Sequence, residues 1–141
     1  MDQEPITAGE FRKRLAQLCL TSKSAELPSR QRDRQIILKS VALYLSKCQT
    51  YTERELNAVL RNWTDEVGHS LEVDHAALRR ALIDEKYLER SPGGEQYRLS
   101  VPRCAEWFAP EVDGIDPALV VVEAIAEARA KRAQYQNRAT S

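Results

Sequence analysis

The chain has 141 residues, 43% of them hydrophobic and 30% charged, with 21 basic side chains against 21 acidic ones. This is the composition of a folded globular protein, and no apolar run approaches the roughly 20 residues that cross a bilayer. The balance withholds the basic excess usual in nucleic-acid binders: from Ser29 to Arg103 there are 13 basic and 11 acidic residues, a net of +2.

Residues 1–6 read as a loose end, and the acidic, polar MDQEPITAGE is not a secretory leader. A cytoplasmic location is expected. Thr7 and Glu10 are spaced as a capping box. Phe11, Leu15 and Leu18 follow at helical intervals, which predicts a helix from about Ala8 to Leu20. TSKSAELPSR, with Pro28, is a connector. Arg30 to Lys47 is expected to be helical, with Ile36, Ile37, Val41, Leu43 and Leu45 on a broad apolar face that Leu38 and Tyr44 widen.

Gln49-Thr50-Tyr51 reads as a one-bond strand. Thr52 and Glu55 form a second capping box, opening a helix from Glu53 to about Trp63 with Leu56, Val59, Leu60 and Trp63 in one stripe. TDEVGHSLEV is expected to be a surface loop bearing solvated carboxylates at Asp65 and Glu66. Asp74 is an N-cap for the next helix, which turns Leu78, Ala81 and Leu82 inward. The hairpin YLERSPGGEQYRL follows, with Pro92-Gly93-Gly94 at its bend. SVPRCAEWFAPEVDGID reads as a strap whose Trp107 and Phe108 cover apolar surface. Asp116 and Pro117 are the N-cap and first residue of a last helix through about Gln134. Val121, Val122, Ile125 and Ala128 form its stripe.

These elements predict a mainly α fold with a small β-hairpin. The core is a winged helix-turn-helix with additional N- and C-terminal helices. The divisions fall at 1–28 (N-terminal helix and connector), 29–100 (winged-helix-like domain) and 101–141 (aromatic strap and C-terminal helix).

Tyr51 to Leu99 also resembles a bacterial family of domains of unknown function, found alone or behind ArsR-type helix-turn-helix regulators. The residues that carry the resemblance are Tyr51-Thr52-Glu53, Glu55-Leu56-Asn57, Asp74, Leu78-Arg79-Arg80, Leu82-Ile83-Asp84, Tyr87-Leu88-Glu89-Arg90, Gly93-Gly94 and Tyr97. With the scaffold helix it covers roughly residues 30–100. The resemblance implies a winged-helix-like fold and a link to transcription regulation. It supplies no ligand, reaction or DNA site, and the joint from Trp63 to Asp74 is longer than the family's usual spacing.

Two functional readings follow. In the first, helix 74–86 enters the major groove of double-stranded DNA. Ala76 and Ala77 allow close approach, and Arg80 lies nearest the bases. Arg79, Arg90 and Arg98 contact phosphate from the helix and the 87–99 wing. A homodimer forms through the C-terminal helix. The structural alternatives are an ion pair from Arg79 to Glu53 or Glu55, and an Arg80–Asp84 pair one helical turn apart. In the second reading the chain is a non-enzymatic protein-interaction module. Its anchors are Trp107, Phe108, Val121, Val122 and Ile125, the same residues that serve as the dimer surface in the first. The last helix folding back onto helix one is a further arrangement.

No cofactor or metal is expected. His69 and His75 have no ligand spacing with Cys48 or Cys104, and Cys19, Cys48 and Cys104 contain no CxxC pair. Buried free thiols explain the cysteines. There is no glycine-rich phosphate loop, Ser-x-x-Lys or HExxH motif, so no enzymatic activity is expected.

Overall fold

A computed structural model describes residues 4–21, 27–46, 48–69, 71, 73–100 and 107–140. In chain order it contains α1 (Ala8–Thr21), α2 (Gln31–Ala42), β1 (Thr50–Thr52), α3 (Glu53–Glu66), α4 (His75–Asp84), β2 (Leu88–Arg90) and β3 (Gln96–Leu99). A 3-10 turn (Pro110–Gly114) and α5 (Pro117–Thr140) complete it. The fold is thus mainly helical, with one small antiparallel sheet of strand order β1-β3-β2. β1 does more than make a single bond: Thr50, Tyr51 and Thr52 pair with Arg98, Tyr97 and Gln96.

Local chemistry explains where the helices start. Thr52 Oγ1 accepts from the Glu55 amide at 3.2 Å and Glu55 Oε1 accepts from the Thr52 amide at 2.9 Å, a complete capping box for α3. Asp74 Oδ1 accepts from Ala76 N at 3.3 Å, and Asp116 Oδ1 accepts from Ala118 N at 3.0 Å. The first box is half built. Thr7 Oγ1 accepts from Glu10 N, but the Glu10 carboxylate takes the Arg32 guanidinium instead.

Several boundaries differ from expectation. α2 closes at Ala42 rather than Lys47. Its end tightens through Tyr44 N to Val41 O and Leu45 N to Ala42 O, three-residue bonds that cannot continue an α-helix. α3 runs on to Glu66, and α5 runs past Gln134 to Thr140. The joint after α3 is no surface loop at its apolar positions: Val67, Gly68, Leu71 and Val73 are buried. Gly68 lies against the indole of Trp63, where a Cβ would stand 2.4 Å from Cζ3. Ile6 is not loose either. It is buried and forms a parallel bridge with Phe108, through Ile6 N to Trp107 O at 2.8 Å and Ala109 N to Ile6 O at 2.9 Å.

One apolar cluster joins all the helices and the sheet. Its buried polar side chains take partners, except Gln35 Nε2, which has none among the described residues. The Trp63 indole N–H donates to Ser40 Oγ at 2.8 Å, and the Tyr87 hydroxyl donates to the Gln35 side-chain oxygen. The buried Lys39 ammonium lies 2.6 Å from Asp113 and over the Phe108 ring, which pins the 3-10 turn to α2. Phe108 meets Phe11 edge to face at 6.0 Å. Burial pushes the Cys19 thiol up to about 12, whereas Cys48, in the turn after α2, is exposed rather than buried. Cys104 lies outside the described residues.

Candidate nucleic-acid interface

The sequence singles out α4 and the hairpin, so their outward chemistry decides what this surface can do. Leu78, Ala81 and Leu82 lock α4 into the core. Arg79 bolts it to α3: its Nη1 donates to Asn57 Oδ1 at 2.8 Å and its Nη2 lies 3.2 Å from Glu53 Oε1. The partner is Glu53 and not Glu55 for a stereochemical reason. The Glu55 carboxylate is already turned back to the Thr52 amide in the capping box. Arg79 is therefore a structural tie.

Ala76, Ala77 and Arg80 are exposed on the other side of α4. The expected Arg80–Asp84 pair is not formed. Among the described residues Arg80 has no ion pair or hydrogen bond, so its guanidinium is available. Asp74 and Asp84 are exposed at the two ends of the same helix. Glu85 turns away toward α2, 3.7 Å from Arg34. The helix thus presents one free cation on a small-residue face, between two carboxylates.

The hairpin holds its arginines differently. Arg98 lies 2.9 Å from Glu89, its cross-strand neighbour, with both side chains half or more exposed. Arg90 folds over the Tyr97 ring at 5.8 Å. The bend brings Gly94 so close that a Cβ there would stand 2.8 Å from Arg90 Nη2, and Gly94 has φ +73°, a left-handed backbone that suits glycine. Thr50, Ser91, Gln96, Arg90, Arg98 and Glu89 line a cleft of about 270 Å³ beside the sheet. Its chemistry is mixed, two guanidinium groups and a carboxylate.

The family described as an uncharacterized protein conserved in bacteria (DUF2087) matches residues 24–99. The chain belongs to this family. The DUF2087 segment contains α2, β1, α3, α4, β2 and β3, and it leaves out α1 and α5. No curated protein and no solved structure matches the chain.

The residues expected to anchor a partner split in two. Phe108 and Val121 are buried in the chain's own core, with Trp107 and Ile125 packed partly against it. Only Val122 of that set is well exposed, at 60%. α5 lies along α1, the fold-back arrangement. Among the described residues no group of three or more His, Cys, Asp and Glu side chains is placed to hold a metal ion. His75 Nε2 sits 3.4 Å from Thr64 Oγ1. No helix of the described residues is long and apolar enough to cross a membrane.

The sequence reading missed two ties, one at this site and one elsewhere in the fold. Asn57 holds Arg79, and its place one helical turn after Glu53 is the signal that pairs them. The Lys39–Asp113 pair spans 74 residues, and no local spacing announces it.

Proposed function

We propose that this DUF2087 chain is a DNA-binding protein with a winged helix-turn-helix core, acting in transcription regulation. The order α2-β1-α3-α4-β2-β3, with β1 hydrogen-bonded to β3, supports that core. α4 is its recognition helix and the β2–β3 hairpin its wing. The resemblance to domains found behind ArsR-type regulators points the same way.

One observation carries the reading. Among the described residues Arg80 has no ion pair or hydrogen bond, and it lies exposed beside Ala76 and Ala77, while Arg79, one residue earlier, holds the helix in place. A guanidinium on a small-residue helix face is suited to a guanine edge, where it donates to O6 and N7. Arg90 and Arg98 serve phosphates from the wing. Arg98 exchanges Glu89 for phosphate, and exposed pairs of that kind are weak, about 0–1 kcal/mol. The test is the double variant Arg80→Ala/Arg90→Ala in a mobility-shift assay. It loses DNA binding with its thermal midpoint nearly unchanged. Unaltered affinity in the double variant refutes the reading.

A second reading, a protein-interaction module, is favoured by the exposed Asp74 and Asp84 that bracket Arg80 and by the zero net charge. It predicts no salt-sensitive binding to any duplex.

A further inference from the structure

By sequence α3 is the most acidic helix of the DUF2087 segment, with four acids against two bases. The fold sorts those charges. Glu53 lies against Arg79, Glu55 is turned back to the Thr52 amide, and Glu66 accepts from the Tyr44 hydroxyl. Asp65 is the one acid of α3 that stays exposed with no partner among the described residues. Both bases, Arg54 and Arg61, are exposed, and neither has an ion pair or hydrogen bond among the described residues.

Helical geometry places these two guanidinium groups. With Leu56 at 0° and about 100° per residue, the buried Leu56, Leu60 and Trp63 fall between about −20° and 40°. Glu53, Asn57 and Thr64, which touch α4, fall between about 60° and 100°. Arg61 and Arg54 follow at about 140° and 160°, past the α4 side and away from the core. On α4, with Leu78 at 0°, His75 and Arg79 meet α3 at about 60° and 100°, and Ala76 and Arg80 point outward at about 160° and 200°.

The two outer rows therefore flank one seam. Glu53 and Asn57 meet Arg79 at one end of it, and Thr64 meets His75 at the other. Residue order along the seam is thus opposite in the two helices. Arg54 stands at the Arg80 end and Arg61 at the Ala76 end. Three guanidinium groups share this outward surface, and Asp65, at about 180° on α3, is the carboxylate of that helix which faces the same way. Arg54 and Arg61 are about 10 Å apart along the axis at 1.5 Å per residue, far enough to address separate phosphates.

We propose that Arg54 and Arg61 of α3 clamp the sugar-phosphate backbone of DNA beside the groove that α4 enters, so that the contact surface extends across the α3–α4 seam. The proposal rests on the DNA reading of α4 and adds a second helix to it. Backbone contacts orient a protein on the duplex and carry no base preference. α3 therefore supplies affinity and register, and Arg80 the choice of base.

Fluorescence anisotropy of a labelled random-sequence duplex, titrated with the full chain at several salt concentrations from about 50 mM to about 200 mM, counts the phosphates engaged. The slope of log affinity against log salt is about 0.9 per contact. Arg54→Gln/Arg61→Gln flattens that slope by nearly two and weakens binding at about 50 mM salt by about tenfold or more. Its thermal midpoint is nearly unchanged, because neither side chain has a partner in the fold to lose. Asp65→Lys, a charge added to the same row, steepens the slope by about one. A duplex that the unaltered chain leaves unbound at about 50 mM salt removes the DNA reading and this proposal together. An unaltered chain that binds with a steep salt dependence and weakens on Arg80→Ala, while Arg54→Gln/Arg61→Gln keeps the same slope and affinity, overturns the role of α3 alone.

Discussion

Arg79 donates to Asn57 Oδ1 at 2.8 Å and so fixes α4 against α3, whereas Arg80, the next residue and about 100° further round the helix, is exposed and has no ion pair or hydrogen bond among the described residues. Two adjacent arginines therefore do two different things, and substitution separates them. Arg79→Ala leaves Asn57 without its donor and Glu53 without its cation. It destabilises the fold by about 1.5–3 kcal/mol, the usual worth of a hydrogen bond from a charged group. Arg80→Ala changes stability by less than about 0.5 kcal/mol, as surface positions do. Urea unfolding of both variants checks the pair. Equal losses contradict the division of roles.

Gly68 and Trp63 make a second close relationship. The absent Cβ leaves room for an indole whose N–H is held by Ser40 and which has nowhere to retreat. Gly68→Ala is thus an overpacking substitution that costs about 1–3 kcal/mol. The same methyl in place of Gly93, which meets nothing within 4 Å, is nearly neutral. Thermal unfolding compares the two, with tryptophan emission reporting whether the Trp63 environment has changed.

The N-terminal helix is tied to α2 by two arginine–carboxylate forks. Arg14 Nε and Nη2 lie 2.7 and 2.8 Å from the two Asp33 oxygens, and Arg32 holds Glu10 in the same way. The hydrogen bonds from Arg14 hold Asp33 below the usual carboxylate range, and those from Arg32 do the same for Glu10. A lowered folded-state value means that the unfolded chain binds protons first. The stabilisation is therefore complete above the unfolded carboxylate values, about 4, and is lost as the pH falls through the folded ones. Stability drops from about pH 4 downward, and Asp33→Asn flattens that drop. A variant with the same acid limb as the unaltered chain excludes Asp33 as its source.

The helices and the hairpin were legible because their signals are local. Thr52 with Glu55, Asp74, and Asp116 with Pro117 are stop-and-start chemistry within four residues, and each helix begins where they stand. The end of α2 was not legible, because Leu43 and Leu45 continue an apolar pattern through a turn that tertiary packing imposes. The joint after Trp63 was misread for the converse reason. Its acids and Gly68 look like a loop, while burial of Val67, Leu71 and Val73 depends on partners far along the chain. In the candidate site, the tie at Arg79 could be read from charge and spacing, down to a choice between Glu53 and Glu55. The unpaired state of Arg80 could not, since an i,i+4 acid at Asp84 suggested the opposite. Trp107, Phe108 and Val121 allow two readings from sequence, cover for the chain's own core or anchors for a partner, because an aromatic strap and an amphipathic helix look alike whether they meet a partner or the same chain.

The most direct test of the DNA reading is fluorescence anisotropy of a labelled random-sequence duplex, titrated with the full chain at about 50 mM and about 200 mM salt. Phosphate contacts release counterions, so the account predicts binding at the lower salt that weakens by at least about tenfold at the higher one, with Arg80→Ala weaker at both. A duplex that stays unbound at about 50 mM salt contradicts it and leaves the protein-interaction reading in its place.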